Sequence, residues 1–215
     1  MERMRWVGID EAGYGPNLGP LVMSAVMAEG PAEHPPNFWT DLSGTVARAG
    51  DSSDRLWVDD SKAILGGGRG RDRLEAACLA TLAASGHELP CSLSGLLAAL
   101  AAGSLDDVEL SRWLEAGDWP VPAPETKALM ERTPIQDALT GAPWTIVAVR
   151  SVVVGPARFN AGLGASGSKA KVHFSAFAEL LRWIWDRAGD GVATVVRGDK
   201  HGGRHFYLEP LLGVF

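Results

Sequence analysis

Trp6-Val7-Gly8-Ile9 is a short apolar run that stops on two adjacent carboxylates, Asp10 and Glu11, and then on Ala12-Gly13-Tyr14-Gly15-Pro16-Asn17-Leu18-Gly19-Pro20. An apolar run this short, closed by glycine and proline, reads as a buried strand that ends in a shaped loop. Successive strand residues point to opposite faces. Asp10 and Glu11 therefore reach one site only if the backbone turns or twists between them, and Gly13 and Gly15 permit such a turn. Two carboxylates held together at neutral pH repel each other, and a hard divalent ion such as Mg²⁺ relieves the repulsion. The competing reading is helix capping, because Asp and Glu often precede a helix.

The remaining elements follow from periodicity and breakers. Leu21 to Ala28 reads as a second strand, antiparallel to the first through the glycine loop. Phe38 to Val46 reads as a short helix. Asp72 to Ser85 carries Leu74, Ala77, Cys78 and Leu82 near helical spacing and reads as a longer one. Residues 86–143 are polar and alanine-rich, with helices expected around Leu93–Ala102 and Asp107–Ala116, before Pro120-Val121-Pro122-Ala123-Pro124 breaks the pattern. Trp144 to Gly155 is β-branched enough to be a strand. A loop from Gly162 to Ser168 leads to a helix with Phe177, Leu180, Leu181 and Ile184 on one stripe. Val192 to Asp199 is a short strand delivering an acid to its end.

Composition narrows the function. A chain of 215 residues, 46% hydrophobic, fits one α/β domain with a helical insertion at about 86–143. Its net charge of −6 argues against a protein that coats nucleic acid nonspecifically, since such binding neutralises many phosphates. Cys78 and Cys91 lack metal-ligand spacing and read as buried or indifferent thiols of a reducing compartment. With no apolar run long enough to span a bilayer, the expectation is a cytoplasmic protein without membrane or obligate protein partner. Trp6, Trp183 and Trp185 lie in apolar elements and are expected in the core. Gly66-Gly67-Gly68-Arg69-Gly70-Arg71 lacks a P-loop ending and reads as a solvated loop.

The pattern Asp10-Glu11-Ala12-Gly13-x-Gly15, with Gly19-Pro20 following, resembles the N-terminal signature of the type 2 ribonucleases H (ribonuclease HII). Asp59-Asp60-Ser61-Lys62 resembles the Asp-Ser-Lys motif of the same family. Asp199 after the long helix resembles its third metal-binding aspartate. The resemblance implies a ribonuclease H-like fold, a mixed central β-sheet flanked by helices. It also implies a metal-dependent endonuclease that hydrolyses the RNA strand of RNA–DNA hybrids, or cuts ribonucleotide-containing DNA, with two Mg²⁺ or Mn²⁺ ions. Asp10, Glu11 and Asp199 would then be catalytic and hold the metal. Gly13, Tyr14 and Gly15 would meet the ribose, and Ser61, Lys62, Lys200 and Arg204 the substrate backbone.

Three departures accompany the resemblance. Tyr14 stands where the family usually has arginine, so weaker cleavage of a single embedded ribonucleotide is expected relative to a Tyr14→Arg variant. Gly198 precedes Asp199 instead of following it. The family carries a fourth acidic ligand and a substrate-contacting tyrosine in a C-terminal segment, whereas Glu209 is the only acid here after Asp199. A truncated or partial chain with weak or absent hydrolysis is the expectation, Asp59 or Asp60 substituting only if their loop bends into the site. A degenerate relative that holds nucleic acid without cutting it is the alternative. An ATP-binding member of the wider superfamily is disfavoured, because Ala12-Gly13-Tyr14 supplies no glycine-threonine phosphate loop.

Overall fold

The computed structural model describes residues 2–12, 19–101, 114–115, 117–133, 135, 137–199 and 206–215. Its centre is a four-stranded sheet. The strands are β1 (Arg3–Glu11), β2 (Leu21–Pro31), β5 (Thr145–Val154) and β6 (Ala193–Gly198), in the order β5-β2-β1-β6. The first three form antiparallel pairs, while β6 runs parallel to β1, so the sheet is mixed. Between β2 and β5 lie α1 (Phe38–Asp41), the short parallel pair β3 (Val46–Ala47) and β4 (Leu56–Trp57), and α2 (Ser61–Leu65). The longer α3 (Gly70–Ala84), α4 (Leu93–Ala101) and α5 (Pro124–Met130) follow. Then come α6 (Pro156–Ser166) and α7 (Lys169–Trp185) ahead of β6, and α8 (Leu208–Leu212) after it.

Strand alternation divides the core between the two faces. Val7, Ile9, Met23, Ala25, Met27, Val152 and Val154 face α7, where Ala176, Leu180 and Ile184 close the layer. The opposite face carries Ala28 and Ile146 under Ala76, Leu79 and Ala80 of α3. A bulge between Met27 and Ala28 shifts the β2–β5 register by one residue. That shift puts Ile146 and Ala148 on opposite faces although only one residue separates them. Among the described residues no helix is long and apolar enough to cross a membrane.

The described part of residues 86–143 is built into this core. Val121, Leu129, Ile135, Ala138 and Leu139 join the α3 cluster, and the buried Thr126 hydroxyl donates to Glu75 of α3. The helix expected from Leu93 is α4, whereas most of Asp107–Ala116 lies outside the described residues.

Several expectations need correction. The segment from Gly162 to Ser168 is largely helix, not loop: α6 opens with Pro156 in its first turn and closes on Gly167 at φ 65°. Gly66–Arg71 is not a free loop either, since it joins α2 to α3 at close range. A Cβ on Gly70 would lie 2.6 Å from the Ile64 carbonyl oxygen and from the Leu65 Cα. Trp185 is 64% exposed and leans on the Phe215 ring, centroids 4.8 Å apart, instead of entering the core. Cys78 and Cys91 are both exposed.

A cavity of about 500 Å³ remains between the sheet and α3. It exists because the facing side chains are small: Gly8, Ser24, Ala28 and Ser151 on the sheet meet Ala77, Cys78 and Thr81 on the helix.

Candidate functional site

Parallel pairing of β1 with β6 ends at Ile9 opposite Gly198, so the next residues, Asp10 and Asp199, follow that last pair on adjacent strands at one end of the sheet, Asp10 still paired to β2 and Asp199 just past β6. Both carboxylates are exposed. Gly198 lets this edge pack tightly: a Cβ there would stand 3.2 Å from the Phe177 ring of α7 and 3.7 Å from the Ile9 Cβ. The glycine before the acid thus has a packing reason.

Asp10 and Glu11 do not converge. Both lie within β1, Asp10 opposite Ser24 and Glu11 opposite Met23, and the ladder continues beyond them through the Ala12 N–H to the Val22 carbonyl at 2.9 Å. The backbone stays extended at this point, so the two side chains take opposite faces. Asp10 turns one oxygen back to accept the Glu11 N–H at 2.9 Å. Glu11, on the α7 face, instead meets His173, whose Nε2 lies 3.7 Å from its Oε2. That distance is within ion-pair reach and longer than a hydrogen bond. Burial pushes the imidazole below its ordinary range, while the Glu11 charge pulls the other way.

His173 is the residue that the sequence reading missed. A signal was present: stepping back from Ile184, Leu180 and Phe177 by helical spacing lands on His173, a titratable group at the head of an apolar stripe. It is 2% exposed, beneath the acid-bearing end of β1.

The Asp-Ser-Lys segment has a structural use. Asp60 caps α2, accepting from the Lys62 N–H at 2.8 Å. Asp59 accepts from the Ala49 and Asp60 N–H groups and pairs with Arg48. Both acids are therefore already engaged. Ser61 and Lys62 are exposed on α2, and no hydrogen bond or ion pair among the described residues joins them to Asp10, Glu11 or Asp199. Gly13, Tyr14, Gly15, Lys200 and Arg204 lie outside the described residues.

The donor chemistry of Asp10 and Asp199 suits a hard divalent cation, being carboxylate oxygen on adjacent strand ends. Glu11 is turned away from that pair. Among the described residues, no group of three or more His, Cys, Asp or Glu side chains is arranged to hold a metal. Comparison with known protein families, curated proteins and solved structures gives no match.

Proposed function

We propose that this chain is a metal-dependent endonuclease of the ribonuclease HII type, with a ribonuclease H-like fold, acting on the RNA strand of RNA–DNA hybrids. One observation carries the reading. Asp10 and Glu11 end a central strand whose parallel neighbour, coming after the longest described helix, is followed directly by Asp199. That is the order in which the family resemblance expects its acids.

Asp10 and Asp199 are the residues that would hold the cation. Bound there, Mg²⁺ or Mn²⁺ supplies a Lewis acid and lowers the pKa of its water. The Glu11 N–H fixes the orientation of the Asp10 carboxylate while leaving its second oxygen to face outward. The His173 Nε2 stands 3.7 Å from the Glu11 carboxylate, so Glu11 joins the pair only by turning away from the imidazole. An end-labelled RNA–DNA hybrid incubated with the chain and either metal tests the proposal. Internal cleavage of the RNA strand supports it, and an intact hybrid with both metals defeats it.

One observation favours the second reading, a relative that binds nucleic acid without cutting it: Asp10 and Glu11 occupy opposite faces of β1. Retention of the hybrid without cleavage would select that reading.

A further inference from the structure

The cavity between the sheet and α3 lies on the face of β1 that carries Asp10, with Ser24, the residue opposite Asp10, on its wall, but its occupancy does not rest on the nuclease reading. Its volume of about 500 Å³ falls within the range of roughly 300–1,000 Å³ typical of small-molecule sites. Trp6, Val26, Phe38, Leu74, Ile146 and Val149 supply much of its wall.

The space opens to solvent at Gly8, Pro35 and Arg197, which are exposed, but its largely apolar wall offers water few partners. Most polar side chains on this wall are already engaged; the buried Trp6 Nε1, which has no hydrogen-bond partner among the described residues, is an exception. The Ser24 and Ser151 hydroxyls bond to each other at 2.8 Å, and the Thr81 hydroxyl donates to the Ala77 carbonyl at 2.8 Å. Asp59 is taken up by Arg48 and by the Ala49 and Asp60 N–H groups. Left empty, the wall would forfeit its dispersion contacts across the gap. An apolar body is what the space accepts.

Arg197 adds a charge requirement. It belongs to the exposed edge strand β6, borders the cavity, and has its guanidinium 5.4 Å from the centroid of the Trp6 ring. A ring contact leaves the N–H donors of a guanidinium able to take a carboxylate. We propose that this cavity binds a small amphiphile, an apolar chain ending in one carboxylate, with the chain against α3 and the carboxylate at Arg197.

Cys78 provides a reporter, because its accessible surface lies on the cavity wall, whereas Cys91 is exposed elsewhere. The full chain is titrated with decanoate or decanol by calorimetry, and alkylation of each cysteine by N-ethylmaleimide is followed by mass spectrometry. The expected result is saturable one-to-one binding of decanoate, at least tenfold tighter than decanol. Bound decanoate should slow Cys78 alkylation at least tenfold and leave Cys91 unchanged. Arg197→Gln should bring the two ligands to equal affinity, and Thr81→Leu, which fills space on the α3 wall, should weaken both.

Three outcomes would overturn the proposal. One is no saturable binding below the concentration at which decanoate forms micelles. Another is equal affinity of the unmodified chain for decanoate and decanol. The third is protection of Cys91 along with Cys78. Hybrid cleavage is read separately, so the fate of this proposal and that of the nuclease reading are distinguishable.

Discussion

The His173 imidazole lies beneath the strand end with its Nε2 3.7 Å from the Glu11 Oε2, which ties α7 to the acid-bearing end of β1. Because burial holds the imidazole below its ordinary value of 6.5, the unfolded chain takes up the proton first as pH falls. Stability from this residue is complete above about pH 6.5 and is lost as pH falls toward the folded value. The urea midpoint should therefore drop between pH 7.5 and 5, and drop less in His173→Phe. An identical slope in both chains would show that His173 does not titrate in this way.

Arg5 joins three parts of the fold. Its guanidinium donates to Glu29 on β2, to the Arg187 carbonyl after α7 and to Asp190, and its side chain is only 12% exposed. The hydrogen bond from Arg5 holds the Asp190 carboxyl below its ordinary 3.8. That contribution is present above pH 3.8 and is lost as pH falls through the lower folded value. Lysine cannot reproduce the planar fork. Arg5→Lys should lower the urea midpoint at pH 7 and flatten the acid limb below pH 4; an unchanged midpoint would mean that the fork is dispensable.

Gly70 and Gly68 are two residues of one glycine-rich segment with opposite expectations. A Cβ on Gly70 collides with backbone atoms at 2.6 Å, whereas one on Gly68 meets nothing within 4 Å. Gly70→Ala should cost about 1–3 kcal/mol through overpacking, and Gly68→Ala less than about 0.5 kcal/mol. Chemical denaturation of both variants checks the contrast. Equal costs would remove the packing explanation for this segment.

Thr126 tests whether residues 86–143 are integral. Fully buried in α5, it donates to the Glu75 carboxylate, which also accepts the Ala123 N–H at 3.0 Å. Thr126→Val removes one donor from a partly buried carboxylate and should cost about 1–3 kcal/mol. A loss confined to local fraying, with the main unfolding transition unmoved, would instead mark the segment as an appendage.

The sheet was legible because β1 and β2 end on recognisable breakers, with alternating burial along β2, while β5 and β6 fall where β-branched residues place them. The site was legible only as an order of acids. That Asp10 and Asp199 share one strand end follows from parallel pairing, which no local pattern encodes. That Glu11 faces away follows from the backbone staying extended through both acids, whereas the glycines that permit a turn come later in the chain. The cavity was invisible for a different reason. Ala77, Cys78 and Thr81 look like ordinary helix residues until Gly8, Ser24 and Ser151 are seen to face them.

The central claim is that Asp10 and Asp199, on adjacent parallel strand ends, form the metal-holding part of a nuclease site. Hybrid cleavage with Mn²⁺ or Mg²⁺, measured for the parent chain, Asp10→Asn and Asp199→Asn at matched circular dichroism and urea midpoint, tests it most directly. Because Asp10 and Asp199 would hold the cation, which would supply a Lewis acid and activate a water, each substitution should reduce the rate by roughly 10²-fold or more while leaving the exposed strand ends folded. A parent chain that cleaves, with Asp199→Asn cleaving at the same rate, would contradict the account.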